Sequence, residues 1–206
     1  KHLTIMGLRL VQELKGIACL TLAELTTKKS ILSSRSFRSP LKTLEELQEP
    51  IASYMSLAAE KLRKQHTLAT VVTTFIHTSF HTGEARYGNS KSTILTTPSS
   101  FTPSLIKAAH QSLKQIYKPG YLYKKAGIVL SGLIPDKHVQ LDLFSNEPID
   151  EKKQALMRIV DKINGKNGKN TLSFASTGLE KPWKMRQDFR SQDFTTDWKG
   201  LLTIKI

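Results

Sequence analysis

Leu68-Ala69-Thr70-Val71-Val72-Thr73-Thr74-Phe75-Ile76-His77-Thr78-Ser79-Phe80 is the stretch on which the fold turns. Val, Thr, Phe and Ile crowd it, and such residues suit a pleated, packed surface, so it reads as a long strand. It does not decide its own buried face, because Val71, Val72, Phe75 and Ile76 occupy both sides. On its N-terminal side, residues 41–65 carry Leu44, Leu47, Ile51, Met55, Ala58 and Leu62 at spacings of three and four, the mark of an amphipathic helix. Pro50 inside it predicts a kink or a second helix start. Earlier still, 31–38 is short, rich in Ser and bounded by Pro40, which makes it a strand. On the C-terminal side, 83–89 is a turn region and 90–97 a third strand ending at Pro98. Pro103 opens a second helix, striped by Leu105, Ile106, Ala109, Leu113 and Ile116 and closed by Pro119-Gly120. Residues 122–133 form the fourth strand, with Pro135 as its stop. The order β-α-β-β-α-β is ferredoxin-like, of the α+β class: a four-stranded antiparallel sheet with both helices on one face. The other face must meet solvent or a partner.

The flanks are simpler. Leu3, Ile5, Leu8, Val11 and Leu14 recur at near-helical spacing up to Gly16, and an apolar connector leads to Lys28-Lys29. The chain opens at Lys1, inside this helix and without an initiator Met, which suggests a piece of a longer protein. Downstream, 150–164 reads as a third helix, 165–170 as a turn and 171–175 as a further short strand. The remainder is polar, with scattered Trp183, Phe189, Phe194 and Trp198. The expected organisation is a lead-in and connector (1–27), the α+β domain (28–136), a linker (137–149) and a mainly helical or irregular C-terminal extension (150–206).

The formal charge is +14, and residues 1–139 hold 19 Lys+Arg against 8 Asp+Glu. That excess on one ordinary-sized unit points to a polyanion, most often nucleic acid. All four strands lack Asp and Glu but contain Arg35, Arg38, Lys91, Lys124 and Lys125. A surface with cations and hydroxyls but no acid is what a phosphate backbone selects. Strand alternation puts Tyr123, Lys125 and Gly127 together on the expected open face. In the first strand Ser34, Ser36 and Arg38 alternate with Ile31, Ser33, Arg35 and Phe37, so Arg35 falls on the apolar side unless a bulge intervenes. The expected DNA-binding residues are Ser34, Arg35, Ser36, Arg38, Lys91, Tyr123 and Lys125. Nothing resembles a base-reading helix, so recognition is expected to be of the backbone.

No catalytic constellation emerges. The acids Glu45, Glu46, Glu49 and Glu60 sit on a helix surface, and the histidines are scattered without a His-Glu-x-x-His pattern. Cys19 is the only cysteine, which excludes a disulfide framework and a Cys-based zinc site and fits a reducing, cytoplasmic setting. No apolar run approaches the ~20 residues of a spanning helix, so no membrane partner is expected.

Gln140-Leu141-Asp142-Leu143-Phe144 follows the last strand as an apolar pentapeptide with nothing of its own to bury into. It resembles the sliding-clamp-binding motif of bacterial DNA polymerases. Other segments carry a wider resemblance: Ser33-Ser34-Arg35-Ser36-Phe37, Ala58-Ala59-Glu60-Lys61-Leu62-Arg63, Tyr87-Gly88-Asn89-Ser90, Lys125-Ala126-Gly127, Thr171-Leu172-Ser173-Phe174-Ala175 and Trp183-Lys184-Met185. In their order and spacing the chain resembles the carboxyl-terminal half of the Y-family translesion DNA polymerases of the bacterial SOS response. The resemblance implies that 1–27 closes a thumb region and that 28–136 is a little-finger domain whose open sheet tracks primer-template or damaged DNA. It also implies a sliding clamp as partner of 140–144, and a UmuD-type accessory subunit and a RecA filament as partners of the tail. The catalytic carboxylates and the Mg2+ expected of the parent enzyme belong to a palm domain outside this stretch, so the fragment is not expected to polymerise DNA. A different reading, a stand-alone ferredoxin-like RNA-binding or protein-interaction module, explains the charge but not the pentapeptide.

Overall fold

The computed structural model describes residues 4–19, 28–79, 85–137, 151–186 and 188–189. The chain runs α1 (Ile5–Leu14), β1 (Ile31–Leu41), α2 (Leu44–Lys64), β2 (Thr67–Thr78), β3 (Gly88–Ser99), α3 (Thr102–Ile116), β4 (Tyr123–Ser131), the short β5 (Ile134–Pro135) and α4 (Glu151–Asn167). Between the first and last helices the order is the expected β-α-β-β-α-β. The pentapeptide 140–144 lies outside the described residues.

Local chemistry explains the two central helices. Thr43 caps α2 by accepting from Glu46 N–H (3.2 Å), while the Glu46 carboxylate accepts from the N–H groups of Lys42 and Thr43 at 2.7 and 3.1 Å. Those donors hold the Glu46 carboxyl below its ordinary range. The helix continues through Pro50 as one element, forgoing one backbone bond to Glu46 O. Proline near the first turn starts α3, where the missing N–H costs nothing.

The sheet order is β1-β4-β2-β3, every pair antiparallel, with β5 added to β2. Each β-α-β unit is therefore split: β4 lies between β1 and β2, and β2 lies between β3 and β4. The register settles the face of β2 that its sequence leaves undecided. Val72, Ile76, Ala126, Ile128 and Leu130 point under the helices and are fully buried. Leu47, Ile51, Met55, Ala58 and Leu62 of α2, and Leu105, Ala109 and Leu113 of α3, complete that core. Thr74 also points there, its hydroxyl donating to Ala109 O at 3.3 Å, and Thr93 meets Ser112 at 2.7 Å.

Among its described residues the C-terminal extension adds no strand. Residues 171–172 form a bend, followed by irregular backbone and a 3-10 turn at Ala175–Thr177. Instead of pairing with the sheet, the extension packs on the outer side of α2. Arg63 pairs with Asp161 of α4 through two nitrogens, at 2.6 and 2.8 Å. Ser53 Oγ donates to Thr177 O at 3.2 Å, and Trp183 wedges edge-on between Tyr54 and Phe37, ring centroids 5.6 and 6.4 Å away. Arg38 N–H donates to Trp183 O at 3.0 Å, tying the extension to β1 as well.

Candidate nucleic-acid interface

The sheet face opposite the helices is built from alternate residues of four strands. In antiparallel pairing, directly opposed residues share a side, so the register reads the face off row by row. Ser36 lies opposite Lys125, which lies opposite His77; Ser34 lies opposite Gly127, which lies opposite Phe75, itself opposite Ser90. Leu32, Val129, Thr73 and Ser92 form the next row, Thr73 and Ser92 joined by their hydroxyls at 2.8 Å. Ser131, Val71 and Ile94 close the face. Among the described residues no carboxylate stands in these rows.

Gly127 is the centre of this surface for a steric reason. A Cβ there would collide with the Phe75 ring and the Ser34 side chain. Its absence lets the Phe75 ring lie across β4, leaving a low, flat floor flanked by serines. The Phe75 and His77 rings sit 5.6 Å apart. Burial, reinforced by the Lys125 charge, pushes the His77 imidazole below its ordinary range, so at neutral pH it adds no positive charge.

Of the residues expected on this face, the structure brings together Ser34, Ser36 and Lys125. Arg38 is exposed in the irregular end of β1, with Lys124 Nζ donating to its carbonyl at 3.1 Å. The other three need correction. Arg35 lies opposite Ala126, on the helix side, because the bulge that was needed to turn it falls after Ser36. Lys91 lies opposite the buried Thr74, so it too leaves the sheet on the helix side, at the exposed edge. Tyr123 is fully buried. Between Lys125 and Tyr123 the register shifts against both neighbouring strands, so the two residues point to opposite sides. Tyr123 Oη accepts from Lys118 N–H (3.0 Å) and donates to Lys118 O (2.9 Å) inside a cluster with Tyr87 and Tyr117. The face is thus rich in hydroxyls with one registered lysine, and less cationic than strand composition implied. Phe75, Thr73, Ser90 and Ser92 escaped notice, although the alternation 71, 73, 75, 77 held the signal.

Among the described residues no group of three or more His, Cys, Asp or Glu side chains is placed to hold a metal ion, and no helix is long and apolar enough to cross a membrane.

The fold and the bare face define an antiparallel α+β domain with one sheet surface presented outward and a helical extension packed behind it. Comparison with known proteins then fixes the family. Residues 28–143 match the model of the impB/mucB/samB family C-terminal domain, and the chain belongs to that family. Residues 154–204 match a second model, described as a domain of unknown function. The chain is 37% identical to protein UmuC of Salmonella typhimurium over 207 residues, covering 100% of this chain and 49% of that protein. It is 36% identical to protein MucB of Escherichia coli over 195 residues, covering 94% and 46%. The chain thus spans about half the length of the curated relatives it matches. A solved structure described as the insertion ternary complex of Dbh DNA polymerase aligns over 64% of this chain and 36% of that one, with 12% identity and a TM-score of 0.42, too weak a likeness to bear on function.

Proposed function

We propose that the chain is the DNA-holding region of an error-prone translesion DNA polymerase of the SOS response, acting in the bacterial cytoplasm. The observation that carries this reading is the bare sheet face: hydroxyls and Lys125 around a glycine floor, with no carboxylate among the described residues of its rows to repel a phosphate. Membership of the impB/mucB/samB family and the basic charge support it. Serine and threonine hydroxyls would bond phosphate oxygens, while Lys125, with Arg38 and Lys124 beside it, would supply the charge. About three neutralised phosphates give a log-log salt slope of about −2.7 on duplex DNA. Titrating labelled primer-template DNA at several salt concentrations tests this, with Lys125→Ala expected to make the slope shallower by about 0.9. A slope near zero, or equal binding of RNA, would defeat the reading.

Docking on a sliding clamp through Gln140-Leu141-Asp142-Leu143-Phe144 is the second part of the proposal. Full burial of Leu141, Leu143 and Phe144 contributes roughly 1.5–3 kcal/mol each. Ordering the segment offsets much of that, so micromolar affinity is expected rather than nanomolar. Replacing Leu143 and Phe144 by Ala should abolish clamp binding and leave DNA affinity intact. A UmuD-type subunit and a RecA filament as partners of the extension, and the absence of polymerase activity from this stretch alone, complete the proposal. The Mg2+ chemistry of the parent enzyme lies outside it.

A further inference from the structure

Two aromatic side chains on the open face lean across the sheet instead of standing up from it. Phe75 and His77 are alternate residues of β2, and each lies over a glycine of a neighbouring strand: Phe75 over Gly127 of β4, His77 over Gly88 of β3. A Cβ on either glycine would collide with the ring beside it. Neither glycine has a positive φ, so the backbone does not require them. What each supplies is clearance, which is how glycine within a strand commonly serves a close approach. Gly127 is buried beneath the Phe75 ring, while Phe75 itself stays partly open to solvent.

The surroundings of this ring are polar and cationic. Ser34 and Ser90 stand in the Phe75 row, and Lys125 and Ser36 in the next, about 7 Å along the strands. His77, its ring 5.6 Å from that of Phe75, is held below its ordinary range by burial and by Lys125, so at neutral pH the pair of rings is uncharged.

We propose that Phe75, with His77 beside it, is a stacking platform for an unpaired nucleobase, so that this face takes a single-stranded stretch of nucleic acid with a phosphate against Lys125. The proposal rests on the DNA-holding reading above and adds what the strand must offer, an uncovered base. Within a continuous duplex both faces of a base are already stacked; only an unpaired base has a face to give. A protein partner would anchor by filling a pocket, and a ring lying across its neighbour leaves none. Stacking on an aromatic ring is also tolerant of sequence, in keeping with a surface that has no base-reading helix.

A ring over a glycine can also serve the sheet alone, by packing. The test must therefore read the base itself. The full 206-residue chain is titrated with a single-stranded oligonucleotide carrying 2-aminopurine, and with an abasic strand of the same length and phosphate number. The parent should bind the base-bearing strand roughly tenfold more tightly and quench its fluorescence. Phe75→Leu keeps apolar bulk and should erase that preference without altering the salt slope, since stacking releases no counterions. Phe75→Tyr keeps the ring face and should preserve the preference. Equal binding of both strands by the parent at an undiminished salt slope, or parallel loss of both in Phe75→Leu, would overturn the platform and leave the grip on DNA standing. A slope near zero, or binding of neither strand, would overturn both.

Discussion

The two faces of the one sheet were built by different rules. Under the helices, Val72, Ile76, Ala126, Ile128 and Leu130 pack into a layer that excludes water completely. On the open side, Leu32 is 58% exposed and Ile94 79%, between serines, threonines and a glycine. The covered face contributes stability through area removed from water. The open face contributes little stability and is free to serve recognition. The difference shows that density of β-branched residues locates a strand without saying which side does which task.

The largest test of this contrast is Phe37→Ala. Phe37 is fully buried and holds both the core and Trp183, so truncation should cost about 3–5 kcal/mol, read from the urea midpoint at constant slope. A loss below about 1 kcal/mol would mean that the β1 edge is not part of the packed layer. Next, Arg63→Met removes the guanidinium that bonds Asp161, Ser100 O and Thr102 Oγ1. It should cost about 1.5–3 kcal/mol and make α4 the first site of limited proteolysis. Unchanged cleavage would show that the extension holds to α2 without the Arg63–Asp161 pair.

Acid sharpens the comparison, because each side of the sheet carries a depressed histidine. Burial lowers His77 on the open face, with help from Lys125; burial lowers His110 of α3, against its 3.0 Å hydrogen bond to Gln48 O. Both pKa values are lower folded than unfolded, so over the window between them the unfolded chain binds more protons. Stability should therefore be fully present above the ordinary imidazole range near about 6.5 and fall as pH drops through it. Urea midpoints of His77→Gln and His110→Gln across that window should each show a flatter dependence than the parent. The smallest effect is expected on the open side: Leu32→Ser and Ile94→Ser should each stay within about 0.5 kcal/mol of the parent. A large loss at either would mean that something covers this face.

Much of the fold was legible. The helix stripes 44–62 and 105–116, the start at Pro103, and the stops at Gly16 and Pro119-Gly120 all rest on local periodicity and backbone preference. The candidate site was legible only in part. Ser34, Ser36 and Lys125 obey plain alternation and were placed correctly; Tyr123 sits beyond a bulge, and Arg35 and Lys91 belong to edge strands whose side chains remain solvated whichever way they point. The second buried stripe of α2, Ser53 and Tyr54, was invisible because its partners, Thr177 and Trp183, lie far along the chain.

By itself, then, the sequence determined which segments of the α+β domain are helix and strand, their order, and the excess of positive charge, since these depend on neighbours within a few residues. Tertiary structure alone decided that Lys91 leaves the sheet on the helix side, that Tyr123 is core, and that the extension backs onto α2. Those outcomes depend on strand register and on contacts between residues more than a hundred positions apart, and neither is written in any local pattern.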